Sequence, residues 1–487
     1  MATPADDPLA LRDRIAALEQ TARELDVPPA QREALWSAVG DHVLGNLGDL
    51  GEARAYSPDP LVDGDAFAID EGPGKIEDAL ETMRVVERSG INQTSGGHFA
   101  YIPGGGLFPS ALGDLLADVG NRYSGVNFAA PAARLMERSL VRWMADLVGY
   151  GESAGGDLTS GASIASLEAI VTARDAHAIR ASEVPRSVVY VTAQTHHCIE
   201  KALRVAGLEE CVVRRVALDD GFRMRPDALD ALVESDVAAG LRPWLVVATA
   251  GSTDVGAVDP LASIAEVAHG RRLWLHVDAA YGGFFVLTEH GRRMLAGIEG
   301  SHSVVMDPHK GLFLPFGSGA LLVGDEHQLA RTHRYSASYL SDAQASDGVY
   351  SPADLSLELT RPFRAPRLWL PLKLFGLAPF RAALEEKLLL ARYFHARLSE
   401  LPAFSTLTPP ELSVVAFRLS VGGGDERSLN RRLLQAVNDD GRAVISATEI
   451  GGRYTLRTAI LHYRSHLAEV DALLDVLADQ AGRLTTA

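Results

Sequence analysis

Two short apolar runs, each leading into a charged residue, constrain the fold of this sequence most. The first run, Leu273 to Asp278, consists of β-forming residues and ends in a carboxylate. The second run, Ser303 to Met306, leads into a polar segment that contains Lys310, and a third run, Gly319 to Val323, closes the stretch. Short apolar runs bounded by polar and small residues are typical of strands that are buried on both faces. We therefore expect buried strands, with the aspartate and the lysine at strand ends.

An aspartate and a lysine in these positions suit the chemistry of pyridoxal phosphate (PLP). The lysine can form a Schiff base with the aldehyde of the cofactor, and the carboxylate can keep the pyridine nitrogen protonated so that the ring accepts electrons. The same two residues could instead form a buried ion pair that determines the order of the strands. Asp278 and Lys310 alone leave both interpretations open.

Two motifs in this stretch resemble those of a known family. The segments His276 to Tyr281 (HVDAAY) and Asp307 to Lys310 (DPHK) are similar to segments of the PLP-dependent group II amino acid decarboxylases, with the closest likeness to the aromatic-L-amino-acid branch. The resemblance implies a carboxy-lyase that converts an L-amino acid, expected to be aromatic, to an amine and CO2. It also implies a homodimer with shared active sites.

The resemblance further implies an α/β protein of PLP fold type I, similar to aspartate aminotransferase, with a mainly parallel seven-stranded sheet. Residues 1–100 would form an N-terminal helical segment on the dimer partner, residues 101–375 the large domain, and residues 376–487 a small α+β domain. The alternation of apolar runs and helical patterns between residues 157 and 275 independently predicts a mainly parallel sheet. Strands are expected there at Ser187–Thr192, Cys211–Val216 and Leu245–Ala250, and helices at Ile164–Ile179, His197–Ala206 and Pro226–Ala238.

Composition and charge argue against several classes of partner. The chain has 487 residues and a formal net charge of -17, which would repel nucleic acid and anionic membranes over most of its surface. The two cysteines, Cys198 and Cys211, lack the CxxC spacing and cannot form a disulfide framework, so we expect a reducing, cytoplasmic environment. No apolar run is long enough to span a membrane.

A segment of small residues precedes the helix that is expected near Ile164. Backbone N–H groups at a helix start can bind a phosphate, because they lack partners within the helix and the helix dipole favours an anion. The Ser and Thr residues of this segment could instead serve only as helix caps. By resemblance, Ala162 and Ser163 are the phosphate-binding pair of the family.

Two adjacent histidines follow the first of the expected strands. Adjacent residues do not face the same way on a helix, so we expect only one of them to point at a given site. The resemblance selects His196 as the ring that stacks on the pyridine of PLP, and leaves His197 as a surface or helix-cap residue. A zinc site that combines both histidines with Cys198 is disfavoured, because consecutive ligands lack the spacing of structural zinc sites. We expect no metal.

The remaining cofactor contacts follow from the resemblance. Thr253 and His309 are expected to contact PLP in the same site as Asp278, although hydroxyls near Thr253 could serve only a turn. Asp307 would lie near the phosphate, where a carboxylate is unfavourable unless it is paired or turned away. Thr360 would contact the phosphate bound in the partner subunit.

The substrate side of the site is expected to involve aromatic residues. The resemblance places Tyr101, Gly104 and Phe128 along the substrate, although these aromatics, like Phe99, could merely belong to the core. Tyr339 lies in a segment similar to the family loop whose tyrosine returns a proton to Cα, and relatives with Phe there tend to form aldehydes. An exposed loop tyrosine without a catalytic role is the alternative.

Three arginines could bind an anion, but we expect Arg361, Arg364 and Arg457 to form salt bridges instead. Two other functions remain possible from the sequence. Another PLP-dependent reaction, such as aldehyde-forming oxidative decarboxylation or carbon–carbon cleavage, would use the same cofactor residues. A catalytically silent relative that only binds PLP would need none of the acid–base groups.

Overall fold

The computed structural model of the chain describes residues 7–51, 53–58, 67–335, 349–420, 422 and 425–486. The chain divides into two compact units. The first unit comprises residues 1–53 and 57–92, and the second comprises residues 54–56 and 93–487. The expected division at residues 100 and 375 stays a prediction.

The first unit is helical. It contains α1 (Pro8–Ala22), α2 (Pro29–Gly48) and α3 (Ile76–Arg88), and the proline pair before α2 separates the first two helices. No residue of α1 is buried, and His42 is the buried residue of α2. His42 joins α2 to α3 through its Nε2 atom, which lies 3.1 Å from Oε2 of Glu87. The predicted helical N-terminus is therefore confirmed, and the apolar stripe of α1 faces solvent within its own unit.

Strands and further helices follow in an alternating order. The strands are β1 (Tyr56–Ser57), β2 (Gly90–Ile91), β3 (Gly155–Thr159), β4 (Ser187–Val191), β5 (Val212–Arg215), β6 (Arg242–Thr249), β7 (Trp274–Asp278), β8 (Ser303–Met306), β9 (Gly319–Val323), β10 (Phe404–Thr406), β11 (Val414–Leu419), β12 (Ser446–Ile450) and β13 (Arg453–Ala459). The helices are α4 (Phe108–Gly120), α5 (Pro131–Leu147), α6 (Ala162–Ala176), α7 (Cys198–Val205), α8 (Pro226–Ala238), α9 (Leu261–Arg271), α10 (Glu289–Met294), α11 (Pro308–Gly311), α12 (Glu326–His333), α13 (Ala365–Phe375), α14 (Ala378–Ser399), α15 (Glu426–Asp440) and α16 (Leu467–Thr486).

The large sheet has seven strands in the order β3-β9-β8-β7-β6-β4-β5. Neighbouring strands from β8 to β5 are parallel, whereas β9 is antiparallel to both of its neighbours. Strand β3 consequently points in the same direction as β8. The expected α/β fold with a mainly parallel seven-stranded sheet is confirmed. Strands β3, β4, β6, β7 and β8 all end at the same edge of this sheet, which is where parallel α/β sheets bind their ligands.

The central strands are buried on both faces, which explains their nearly continuous apolar sequence. In β6, Val246 and Ala248 belong to one hydrophobic core, and Leu245 and Val247 belong to the core on the opposite face. Burial of this kind excludes water from the strand interiors, so polar residues are concentrated at the strand ends. Most of the candidate functional side chains therefore lie at the edge of the sheet where the parallel strands end.

The small sheet is antiparallel throughout, in the order β10-β11-β13-β12. Its core receives Phe394 from α14, Leu433 from α15 and Leu473 from α16. The predicted small C-terminal α+β domain is confirmed.

Some boundaries differ from the expected ones for physical reasons. Strand β6 begins at Arg242, three residues earlier than expected, and Pro243 within it lies beside an irregularity in the pairing with Val188. Proline lacks the N–H that a regular ladder needs, so a strand interior that contains it requires such an irregularity. The segment after β8, expected only as a polar break, forms the single-turn helix α11. Strand β3 opens on two glycines and was not expected at all.

The described helices include none that is both long enough and apolar enough to cross a membrane. Cys198 and Cys211 are buried and form no disulfide.

Candidate active site

A cavity of about 250 Å³ lies at the carboxyl edge of the large sheet. The strands that end there, and the turns that follow them, supply its lining. Eight of the residues expected at a cofactor site line this one cavity: Ala162, Ser163, His196, Thr253, Asp278, Asp307, His309 and Lys310. Residues that are up to 148 positions apart in sequence, Ala162 and Lys310, are thus brought together by the parallel strand order.

Lys310 and Asp307 form the closest charge pair of the cavity. Nζ of Lys310 lies 3.0 Å from Oδ2 of Asp307, because Asp307 is the residue before α11 and Lys310 follows it by about one helical turn. Burial lowers the pKa of Lys310, but the carboxylates of Asp307 and Asp278 more than offset this effect and raise it above the usual value. The lysine is therefore held as an ammonium ion. No ion pair joins Asp278 to Lys310 in the described part of the chain. The alternative interpretation, a buried ion pair between these two residues that determines the order of the strands, is therefore not observed there.

Asp278 is the last residue of β7 and is almost fully buried. Its Oδ1 accepts a hydrogen bond from the N–H of Ala280 at 3.1 Å, and its backbone carbonyl accepts one from Ala250 at 2.8 Å. These bonds fix the carboxylate at the strand end, between β6 and β8. Burial of a carboxylate without a partner costs free energy. The position of Asp278 therefore indicates a partner in the cavity that carries a positive charge or a proton.

The turn between β3 and α6 is built from small residues. Gly161 is the residue before α6, and no side chain of the described residues caps the helix start. The capping role left open for this segment is therefore not observed. Gly319 of β9 packs directly on the turn, since a Cβ at residue 319 would lie 2.5 Å from the Cα of Gly161. The first N–H groups of a 15-residue helix consequently face the cavity without a side-chain cap.

The two histidines of the cavity lining are oriented by backbone bonds. Nδ1 of His309 donates to the carbonyl of Ser318 at 2.6 Å, and burial lowers the pKa of His309. Nδ1 of His196 accepts from the N–H of Cys198 at 3.3 Å. Burial also lowers the pKa of His196, although Asp278 opposes this change. Both rings are thus favoured in their neutral forms.

Several buried polar atoms around the cavity have no hydrogen-bond partner among the described residues. They are Oε1 of Gln194, Oγ1 of Thr249 and Oδ1 of Asp307. Buried polar groups are almost always satisfied, so three such atoms on one cavity indicate a polar ligand. Gln194 was not expected from the sequence. Its position two residues before His196, beyond the end of β4, was the signal that could have identified it.

The residues expected along the substrate are not part of the cavity lining. Tyr101 is 63% exposed, and its N–H donates to Oγ of Ser446. Phe128 is 79% exposed. Phe99 is fully buried in the core of the small sheet, so for this residue the core interpretation is confirmed. Gly104 lies against the cavity wall, since a Cβ there would lie 3.0 Å from the carbonyl oxygen of His309.

Thr360 is exposed, and Tyr339 lies outside the described residues. Salt bridges are confirmed for two of the three arginines. Arg361 pairs with Asp157 and Glu137, and Arg364 pairs with Glu358.

Arg457 forms no ion pair within the described part of the chain. Its Nη1 donates to Oγ of Ser446 at 3.1 Å, and its Nε and Nη2 atoms are buried without a partner there.

Known proteins with a similar sequence or structure identify the class. The family described as "Pyridoxal-dependent decarboxylase conserved domain" matches residues 58–420. An aromatic-L-amino-acid decarboxylase of Bacillus atrophaeus is 31% identical over 82% of this chain and 84% of the relative. A phenylacetaldehyde synthase of Arabidopsis thaliana is 31% identical over 80% of this chain and 82% of the relative. The structure of Oryza sativa TDC with PLP and tryptamine superposes with a TM-score of 0.87 at 25% identity, over 94% of this chain and 99% of that one.

A fold type I sheet with a lysine and an aspartate at one cavity defines a PLP-dependent enzyme. The chain belongs to the pyridoxal-dependent decarboxylase family. It is a PLP-dependent lyase that decarboxylates an L-amino acid. The unpartnered polar atoms of Gln194, Thr249 and Asp307, together with the uncapped start of α6, fit a phosphorylated cofactor with several hydrogen-bonding groups.

Proposed function

We propose that this enzyme converts an aromatic L-amino acid to the corresponding amine and CO2, with Lys310, His196, Asp278 and Tyr339 as its catalytic residues. The observation that carries the proposal is the presence of Lys310 and Asp278 on one buried cavity, beside the uncapped start of α6. An ion pair that merely orders strands would need neither the helix start nor the unpartnered polar atoms around it.

PLP, when bound, supplies an electron sink that stabilises the carbanion left by the departing CO2. Lys310 would hold the cofactor through its side-chain amine. Asp278, fixed by the N–H of Ala280, would hold a proton on the pyridine nitrogen. His196 would stack on the pyridine, while Thr253 and His309 would complete the walls of the site.

The phosphate would bind at the start of α6, to Ala162 and Ser163. Both residues line the cavity, and the helix dipole favours an anion there. Asp307 supports this arrangement only through its pairing with Lys310, because an unpaired carboxylate would repel the phosphate.

The aromatic substrate class is supported by the relatives that share about a third of their residues with this chain, whose names refer to aromatic compounds. Tyr101 and Phe128 would contact the substrate ring, and Gly104 would leave room beside His309. The exposed side chains of Tyr101 and Phe128 are consistent with a surface that a ligand or a partner subunit covers.

The test is incubation of the PLP-loaded protein with each common L-amino acid, with quantification of amine, aldehyde and CO2. We expect equal amounts of amine and CO2 from one or more of Trp, Tyr and Phe, and none from Glu or Lys. Turnover confined to acidic or basic amino acids would overturn the aromatic assignment. A yellow protein that releases no CO2 from any amino acid would point to a silent relative.

Aldehyde formation is the second candidate, because a phenylacetaldehyde synthase is as similar in sequence as the decarboxylases. Amine formation would require the return of a proton to Cα. Aldehyde formation would instead require O2 as the oxidant, with water supplying the aldehyde oxygen and with ammonia and hydrogen peroxide released. Tyr339 as proton donor favours the amine. Aldehyde and hydrogen peroxide as main products would reverse this choice.

We also propose a homodimer with shared active sites. In the first unit, Leu9, Ile15 and Leu18 of α1 are each more than 60% exposed. In the second unit, Val119 and Phe128 are each 79% exposed. Apolar surface of this extent usually marks a protein interface. The exposed Thr360 would then contact the phosphate of the partner subunit, and light scattering of the purified protein tests the assembly. The cytoplasmic location expected from the two free cysteines also stays a prediction.

A further inference from the structure

The rings of His196 and His197 pack against each other, although, as expected, only His196 lines the cavity. Their centroids are 4.1 Å apart and their planes are inclined by 43°. The arrangement arises because His196 lies in the turn before α7, whereas His197 already has the helical backbone angles of the residue preceding that helix. The helical rule that adjacent side chains point in different directions applies only when both residues belong to the helix, and His196 does not belong to α7.

His196 has one nitrogen committed to the backbone. Its Nδ1 accepts the N–H of Cys198, so in the neutral ring the proton must reside on Nε2. A ring held in this tautomer presents an N–H donor at its other nitrogen. Rotation of the ring by half a turn would break the bond to Cys198, because it places Cδ2 where Nδ1 was. The packed ring of His197 opposes that rotation.

Charged groups from several elements act on His196 as well. Burial lowers its pKa most, Asp278 at the end of β7 and Asp254 after β6 raise it, and His197 and Lys310 lower it. Among the four residues that change the pKa of His196, His197 is the one that is exposed to solvent and does not line the cavity. It can therefore be changed without removing a group that contacts the cofactor.

We propose that His197 is a positioning residue of this decarboxylase, whose ring holds the ring of His196 in the orientation that stacks on the cofactor. The proposal rests on the proposed role of His196. The electrostatic effect of His197 also lowers the pKa of His196, which favours the neutral form of the stacking ring.

Two substitutions separate packing from charge. His197→Ala removes the ring and the charge, whereas His197→Phe keeps an aromatic ring without a charge. We expect His197→Ala to lower kcat about tenfold with little change in KM, since a misplaced group can cost up to about 100-fold. His197→Phe should recover most of the lost kcat. His395→Ala, which removes an imidazole from α14, should leave kcat unchanged and serves as the control.

A second measurement does not depend on turnover. In the full-length protein with 13C-labelled histidines, the Cε1–H resonance of His196 is assigned with His196→Gln and followed from pH 5 to pH 8. Both His197 variants should raise the pKa of His196, because each removes the electrostatic effect of His197 that lowers it. The His395→Ala variant should leave it unchanged.

The outcomes are distinguishable. If the unmodified protein releases neither amine nor CO2, the proposed function fails, whereas the titration of His196 still tests the contact between the rings. If the unmodified protein is active and His197→Ala retains its kcat and the pKa of His196, the positioning role is refuted. A kcat that falls equally in the Ala and Phe variants would also refute it, because ring packing would then have no effect.

Discussion

Nζ of Lys310 lies 3.0 Å from Oδ2 of Asp307, and this pair keeps the lysine protonated despite its burial. A protonated amine cannot attack an aldehyde. We therefore predict that Asp307→Asn lowers the pKa of Lys310, since both the charge and the hydrogen bond of Asp307 oppose the effect of burial. The pH at which cofactor capture is half-maximal should therefore fall. The measurement is the rate of the visible absorbance that develops when PLP is added to cofactor-free protein.

Asp325→Asn is the matched control, because Asp325 precedes α12 as Asp307 precedes α11 but does not line the cavity. A capture profile of Asp307→Asn that coincides with that of the unmodified protein would show that the ion pair does not control the lysine.

Asp278 carries the second prediction. Asp278→Asn keeps an oxygen that can accept the N–H of Ala280 but removes the charge, so the protein should fold and retain the cofactor. Without a carboxylate to hold the pyridine proton, kcat should fall about 100-fold or more. Steady-state kinetics and the cofactor absorbance are measured together. Asp236→Asn removes another buried carboxylate, which binds Tyr190, and should leave kcat per folded molecule intact.

The ends of the strands were predictable from the sequence, and the reason is physical. An unpaired charge is costly in the interior of a strand that is buried on both faces, so Asp278 marks the end of β7 in the sequence as clearly as in the structure. Parallel strands then bring their carboxyl ends to one edge. The convergence of Ala162, His196, Asp278 and Lys310 on one cavity follows from these two facts.

Contacts that depend on a single turn were not predictable in the same way. The bond between Lys310 and Asp307 requires α11, and four residues with a proline and a glycine carry no helical periodicity. The contact between His196 and His197 depends on where α7 begins, to within one residue. Helix ends are the least certain feature of any sequence-based prediction. Strand β3 was not predictable either, because it begins with two glycines and forms through its pairing with β9, which is distant in sequence.

Tyr339 lies outside the described residues, so its role stays a prediction that product analysis can test. Tyr339→Phe should reduce amine formation and release aldehyde, because the proposed proton donor is lost. Amine, aldehyde and CO2 are quantified from the same reaction. Tyr350→Phe removes a hydroxyl that bonds to His327 and should leave the product ratio unchanged. An unaltered amine yield in Tyr339→Phe would remove this tyrosine from the mechanism.

The contact between Gly319 and Gly161 makes a prediction about cofactor affinity. A methyl group at residue 319 would lie 2.5 Å from the Cα of Gly161, so the turn before α6 must move in Gly319→Ala. We expect weaker PLP binding, by about tenfold or more, with a loss of about 1–3 kcal/mol in stability. Fluorescence titration with PLP and thermal unfolding measure the two effects. Gly270→Ala is the control, because an added Cβ there would meet no atom within 4 Å, and it should lower neither the PLP affinity nor the stability.

The final prediction concerns Glu137, whose Oε2 accepts a hydrogen bond from Nη2 of Arg361. Burial raises the pKa of Glu137 to about 7 from an ordinary value of 4.5, although Arg361 opposes the change. The folded protein therefore retains a proton that the unfolded chain loses, and the stability linked to this group is complete below pH 4.5 and lost as the pH rises through about 7. Relative to Glu137→Gln, the unmodified protein should lose about 3 kcal/mol of unfolding free energy between pH 4.5 and pH 8. Urea unfolding at a series of pH values measures this difference, and Glu266→Gln on the exposed face of α9 should show none. Parallel pH profiles for Glu137→Gln and the unmodified protein would mean that Arg361 keeps the carboxyl ionised.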